Sequence, residues 1–252
     1  MQFLKTIIAP FPRAKMLAKS IIARAQGLPP ITFADITKER IREYVGKDNP
    51  VILEIGCNDG THTLWFLEAF RAPHVYCFEP DPRAITRFKA KVGQRKEVQL
   101  FEIALSDRDG EITFYQSSGK PEEEFAGTSA NDIDSWDQSG SIRPPKEHLE
   151  AFPWVTFDQN ITVPTTTLDA WCEAHGIEAI DFIWMDVQGA EIDVFRGGAK
   201  ALANTRFLYT EYSTRQLYNG QFTLKQLLGY LQNFELLVRY QSDILLKNKH
   251  IR

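Results

Sequence analysis

Short apolar runs recur along the chain, and most are followed by a stretch with helical spacing. Val51-Ile52-Leu53-Glu54-Ile55 is the first clear run. Gly56-Cys57-Asn58-Asp59-Gly60 then turns the chain, and a helical pattern over 61–70 begins at Thr61. Residues 74–79 form a second run, and Pro80-Asp81-Pro82 opens another helix, with proline at a tolerated early position. Residues 98–105 read as one third strand. Strand, helix, strand, helix, strand is the doubly wound α/β pattern.

The alternation then changes character. Asp107-Arg108-Asp109-Gly110 is a turn signal, and 111–116 reads as a strand. The β-branched run 162–169 leads into a helix over 168–175. Residues 180–186 are almost continuously apolar, which predicts a central parallel strand covered on both faces. A helix over 189–202, a strand over 207–211, a helix over 223–232 and a hairpin of 234–239 with 243–247 complete the pattern. No internal repeat is visible.

Two stretches stand apart. Residues 14–26 read as an amphipathic helix, with Leu17 and Ile21 on one face and Lys15 and Lys19 on another, ended by Gly27-Leu28-Pro29-Pro30. A second short helix over 35–45 is entered at Asp35 or Thr37. Residues 117–160 are long, polar and acidic, rich in glycine and proline, yet carry Trp136, Phe152, Trp154 and Phe157. A loop of that length in a compact domain is usually functional or disordered. We expect it to be a substrate lid, with an aromatic anchor to the core as the alternative. The expected organisation is therefore basic and linker helices over 1–45, then one α/β domain over 46–252 with an inserted lid at about 117–160.

Composition changes the picture in two places. Formal charge is -4 over 252 residues, so the chain shows no overall nucleic-acid signature. Residues 1–34 hold five basic residues and no acid, whereas the remainder has 24 basic against 33 acidic. A basic amphipathic helix of this kind suits an anionic membrane surface as well as a cap packed on its own domain, so peripheral contact through 1–27 is one expectation. Pro10 and Pro12 interrupt the N-terminal apolar stretch and no cleavage site follows, which argues against a signal peptide. No apolar run reaches transmembrane length. Cys57, Cys77 and Cys172 are scattered and lack metal spacing, in keeping with a reducing compartment; a cytoplasmic location, with possible attachment to the inner membrane face, follows from these signs together.

Four of the expected strands end near acids: Glu54, Glu79, Asp186 and Glu211. In a parallel sheet those ends share one edge, where ligands bind. Taken singly, each acid also suits a cap or a solvated strand end; four together point to a site. The glycines of the first loop are four apart with none between, unlike the Gly-x-Gly-x-x-Gly of a dinucleotide site, and Asp59 would repel a pyrophosphate. S-adenosylmethionine carries an ammonium and a sulfonium and no phosphate, and Glu54 and Asp59 suit it. Glu79 can accept both hydroxyls of an adenosyl ribose. Asp186 suits the sulfonium side, orientation of an acceptor or removal of its proton. Glu191, in the first turn of a helix, also suits the dipole there. His62 either faces the site or lies on a helix surface. Asp186 and Glu211 suit a divalent metal, but no third ligand has suggestive spacing.

The segments Glu54-Ile55-Gly56-Cys57-Asn58-Asp59-Gly60, Phe78-Glu79-Pro80, Ala104-Leu105-Ser106-Asp107, Thr166-Thr167-Leu168-Asp169 and Met185-Asp186-Val187-Gln188-Gly189-Ala190-Glu191 occur in that order. Over about residues 49–212 the chain resembles FkbM-type S-adenosylmethionine-dependent methyltransferases. The resemblance implies a Rossmann-like class I methyltransferase sheet, mostly parallel with an antiparallel C-terminal strand and helices on both faces. It implies O-methylation of a sugar hydroxyl in a glycan, glycolipid or glycosylated metabolite. It implies cofactor contacts from Glu54, Gly56, Cys57, Asn58, Gly60, Thr61, Glu79, Pro80, Ala104, Leu105 and Asp186, and chemistry from Asp186, Glu211 and Glu191. Two departures stand out: Trp184 replaces a lysine or similar residue of many relatives, and Gln188 replaces a glutamate. The competing readings are a nicotinamide-dependent dehydrogenase and a non-catalytic S-adenosylmethionine-binding module.

Overall fold

The computed structural model describes residues 28–120 and 136–251. The expected helix over 14–26, and part of the expected lid, lie outside the described residues.

Alternation with a period of two makes each apolar run a strand that buries both faces. The main sheet is built from β1 (Val51–Ile55), β2 (His74–Phe78), β3 (Val98–Phe101), β7 (Ile180–Met185), β8 (Thr205–Glu211), β9 (Phe234–Arg239) and β10 (Asp243–Asn248). Its order is β3-β2-β1-β7-β8-β10-β9, and only β10 runs against its neighbours. This is the Rossmann-like arrangement, mostly parallel with an antiparallel last strand. Leu53, Ile55, Ile183, Met185 and Leu208 face one side of the sheet, where α5 (Leu168–His175), α6 (Glu191–Gly197), α7 (Ala199–Ala203) and α8 (Leu224–Tyr230) pack. Ile52, Cys77, Phe182, Trp184 and Phe207 face the other side, under α1 (Lys38–Val45), α2 (Thr61–Ala69) and α3 (Pro82–Val92).

Local sequence explains where the helices start. The Thr37 hydroxyl accepts from the Arg40 N–H and caps α1, so Asp35 lies outside that helix. Asp81 caps α3, with Pro82 first in the helix. Thr223 and Gln226 form a reciprocal capping box on α8.

Three expected elements are redrawn. The single strand over 98–105 is two strands: β3 stops where its partner β2 stops, at Phe101 opposite Phe78. The chain then leaves the sheet, and β4 (Ala104–Ser106) pairs with Thr165–Thr167 in a second sheet. The helix over 189–202 breaks at Gly197-Gly198, where a Cβ on residue 197 would sit 2.1 Å from the Ser106 carbonyl oxygen. That close approach packs α6 against β4. The strand expected over 111–116 extends as β5 (Gly110–Gly119), and its partner β6 (Val155–Thr167) begins earlier than expected. The second sheet has the order β4-β6-β5.

The stretch expected as a lid is thus the connection of a long β5–β6 hairpin. Its described part, 136–154, includes the short helix α4 (His148–Ala151) and is docked on the domain. Tyr115 and Ser141 exchange backbone hydrogen bonds, and the Lys146 and His148 N–H groups donate to the Leu217 carbonyl. Arg143 donates to both oxygens of Asp193, at 2.6 and 2.8 Å.

Candidate active site

At the carboxyl edge of the sheet, the loop after β1 crosses in front of β2 and β7. The Gly56 and Cys57 N–H groups both donate to the Phe78 carbonyl, at 2.9 and 3.1 Å. Gly56 takes φ +84°, and a Cβ there would lie 1.9 Å from the Asp186 carbonyl oxygen. Only glycine permits that approach. Gly60 packs instead on Phe88 and Val92 of α3.

A cavity opens against this loop. Its walls include Gly56, Cys57, Asn58, Asp59, Thr61, Glu79, Pro80, Ala104, Leu105 and Asp186. Nine of the eleven expected cofactor-binding positions line the cavity, joined there by Asp59, and Gly60 lies behind it. The remaining position, Glu54, also lies behind it. Its side chain shares a face of β1 with Ile52, accepts from the Thr63 hydroxyl of α2, and is fully buried. Burial pushes its carboxyl up to about 8, and Oε1 has no hydrogen-bond partner.

Glu79 sits one residue beyond β2, at the cavity wall. Its two oxygens accept from Asn58 N–H at 2.9 Å and Asp81 N–H at 2.8 Å. Each oxygen keeps a lone pair. Burial pushes this carboxyl up to about 8, and the nearby Asp81 and Asp137 carboxylates raise it further. Asp59 precedes Gly60, the N-cap of α2, and accepts from the Thr61 N–H and hydroxyl, and Lys91 donates to it at 2.7 Å. Although burial opposes it, Lys91 and Thr61 hold the Asp59 carboxyl below its usual range.

Asp186 lies one residue beyond β7, and its N–H donates to the Ile55 carbonyl. Glu211 ends β8. The Gln188 amide nitrogen donates to Asp186 Oδ1 at 2.7 Å and to Glu211 Oε2 at 3.1 Å. Burial raises both carboxyls, and the Asp186 charge raises Glu211 further. The two carboxyls therefore titrate as a pair. Glu191 is buried at the start of α6, accepts from the Gly189 N–H at 3.2 Å, and lines neither cavity; burial pushes it to about 7.

A second cavity shares Gln138, Asp186 and Gln188 with the first. Glu211 lies in its wall, with Trp136, His148, Phe152, Trp154, Leu217 and Tyr218. Trp136 and Trp154 meet edge to face with ring centres 5.1 Å apart. Burial lowers His148 to about 4, so it is neutral near pH 7. Phe157, the fourth aromatic of the expected lid, backs this wall through His148 and Tyr218.

Several contributors had no sequence signal. Asp137 lines the first cavity, bound by Arg87 and Asn58, and Tyr218 comes from a loop without periodicity. His62 had been open between a site and a helix surface. It lines the first cavity, its ring tilted by 33° against Trp184 with centres 4.1 Å apart, and burial lowers it to about 4.

Neither cavity has a lysine or arginine in its described walls, and the first holds Asp59, Glu79, Asp137 and Asp186. Asp59 and Asp137 are paired with Lys91 and Arg87, so the walls present acceptor oxygens and no cation of their own to hold a pyrophosphate. Among the described residues, no group of three or more His, Cys, Asp or Glu side chains is placed to hold a metal ion. Fold and site together define an S-adenosylmethionine-dependent methyltransferase.

Residues 54–237 match the methyltransferase FkbM domain, and the chain belongs to that family. It is 45% identical over 228 residues to 2-O-methyltransferase NoeI of Sinorhizobium fredii (strain NBRC 101917 / NGR234), spanning 89% of this chain and 90% of that protein. Methyltransferase 1 of Beauveria bassiana (strain ARSEF 2860) is 25% identical over 154 residues, 60% of this chain and 59% of that one. Among solved structures, a methyltransferase from Geobacter sulfurreducens aligns at a TM-score of 0.43 with 15% identity, covering 92% of this chain and 87% of that one.

Proposed function

We propose that this enzyme methylates a hydroxyl of an uncharged sugar in a glycan, glycolipid or glycosylated metabolite, with the cofactor in the first cavity and the sugar in the second. The observation that carries this is the junction: the two cavities share Gln138, Asp186 and Gln188. When bound, S-adenosylmethionine supplies a methyl group on a sulfonium, an electrophile that needs an aligned oxygen and little else. Glu79 is assigned to the ribose hydroxyls, through the lone pairs left free by Asn58 and Asp81. The loop from Gly56 to Thr61 and the strand-end residues Pro80, Ala104 and Leu105 are assigned to the rest of the cofactor.

Asp186 is assigned the acceptor proton. Burial and the Asp186 charge raise the Glu211 carboxyl, so Glu211 is assigned the proton of the pair and Asp186 the role of base. The sugar reading rests on the wall opposite: indole rings cover the apolar faces of sugar rings, and described walls without lysine or arginine offer nothing to an anionic sugar. The name of the 2-O-methyltransferase relative agrees with an oxygen acceptor. Glu191, outside both cavities, is assigned to holding the Gly189 turn rather than to chemistry.

For residues 1–27 the charge asymmetry supports peripheral contact with an anionic membrane, which deletion of that segment followed by vesicle binding would test. Among the described residues no helix is long and apolar enough to cross a membrane. The central reading is tested by the Asp186→Asn protein. A large loss of turnover with cofactor affinity retained supports it; normal turnover in a folded variant removes Asp186 from the mechanism.

A further inference from the structure

The Gln188 amide lies between the two acids at the cavity junction. The backbone of Gln188 takes φ +52°, a left-handed conformation rarely adopted by residues other than glycine, asparagine and aspartate. Gly189 follows at φ +87°, and a Cβ there would lie 2.7 Å from the Tyr218 ring. The turn is therefore pressed directly under Tyr218, which is itself 1% exposed.

The hydrogen bonds form a chain. Gln188 gives one N–H to Asp186, at 2.7 Å, and the other to Glu211, at 3.1 Å. Its oxygen lies 3.1 Å from the Tyr218 hydroxyl, which also donates to the Ser139 carbonyl at 2.8 Å. The hydroxyl has one proton for two acceptors, so it favours this orientation of the amide only weakly. The acids do the rest. Turning the amide over would set its oxygen against the acceptor oxygens of Asp186 and Glu211.

Resting on the proposed function of the site, we infer that Gln188 is a positioning residue: its amide, oriented mainly by the two acids and weakly by Tyr218, clamps Asp186 and Glu211 with one N–H each and sets the pH at which Asp186 takes the acceptor proton. A glutamate here would accept only, and would add a third carboxyl to the pair. The amide instead supplies two donors to a cavity whose described walls contain no lysine or arginine. The other ionisable groups around the pair are Asp243 on β10, Glu191 on α6, Tyr209 on β8, Tyr218 and, farther along the wall, His148. Asp243 and Glu191 oppose ionisation of the pair, so the two amide donors work against them.

Two near-isosteric variants, Gln188→Glu and Gln188→Met, remove the donors, and Tyr218→Phe removes only the orienting hydroxyl. Protonation of the buried carboxyls is read by infrared titration of the carboxyl band, assigned with Glu211→Gln, and turnover is read as a pH profile. Both Gln188 variants are expected to raise the midpoint of the pair by about one pH unit, a ten-fold change in the ionised fraction below it. The acid limb of turnover should move with it, and S-adenosylhomocysteine affinity should stay put. Tyr218→Phe should shift both the same way by less. If Gln188→Met fails to fold, Gln188→Glu and Tyr218→Phe carry the test. An unmoved midpoint in the folded variants, or a loss of turnover equal at every pH, overturns the clamp. A shifted midpoint in a protein that methylates no sugar supports the clamp and counts against the acceptor reading alone.

Discussion

Gly56 approaches Asp186 so closely that a Cβ on residue 56 would sit 1.9 Å from the Asp186 carbonyl oxygen. The loop that faces the cofactor cavity and the acid at the cavity junction are thus one packed unit, tied again by the Asp186 N–H to the Ile55 carbonyl at 2.9 Å. Gly56→Ala must push the β1 and β7 ends apart and also strain φ +84°. We expect a loss of about 4 kcal/mol or more in urea unfolding, at the upper end for point mutants. A loss below about 1 kcal/mol would show that the loop can move aside.

Glu79→Ala removes the carboxylate assigned to the ribose. Hydrogen bonds to a charged group contribute about 1.5–3 kcal/mol, so calorimetry should show S-adenosylmethionine affinity lower by about ten- to a hundred-fold. Circular dichroism should remain native. Unchanged affinity in the folded variant would remove Glu79 from the site.

The same residue makes cofactor binding depend on pH. Burial raises the Glu79 carboxyl to about 8, so near pH 7 it holds a proton in the free protein. Ribose hydroxyls donate to the carboxylate, which lowers that value and releases the proton. Affinity should therefore improve as pH rises from about 5 to 8. Calorimetry in buffers of different ionisation enthalpy should detect proton release near pH 7, and Glu79→Gln should abolish it.

Glu54 gives a stability test with its own sign. Its folded value of about 8 lies above the ordinary glutamate value of 4.5, so the folded chain holds a proton that the unfolded chain has released between those values. Its contribution is complete below about 4.5 and is lost as pH rises through about 8. Glu54→Gln should flatten the fall of Tm across that window. An unchanged slope would mean that Glu54 is not held as a buried acid.

Much of this arrangement was legible because strand burial repeats every two residues, and the limits come from the same rule. The acids near strand ends were visible, but the side each one faces depends on register. Glu54 is inside β1 and shares the face of Ile52, so it points to Thr63 beneath α2. Glu79 and Asp186 lie one residue beyond their strands and reach the edge. The break between β3 and β4 was invisible because Val98 to Leu105 is uniformly strand-like, and only the end of β2 makes the chain leave the sheet. Tyr218, Asp137 and the docking of 136–154 depend on contacts between distant loops, for which no local pattern exists.

Asp186→Asn separates the two cavities functionally. General-base removal costs about 10²–10⁴-fold in rate, and S-adenosylmethionine affinity should change little. A drop in affinity that precedes any drop in rate would move Asp186 to cofactor binding and leave Glu211 as the residue to examine.

The most direct test is transfer of an isotopically labelled methyl group from S-adenosylmethionine to a panel of neutral and anionic oligosaccharides, with the product analysed for the labelled atom. The account predicts label on a sugar oxygen of a neutral acceptor, stable to alkali as an ether is, and no transfer to uronic or phosphorylated sugars at the methylated ring. Label that alkali releases as an ester, or transfer confined to the anionic sugars, would contradict it.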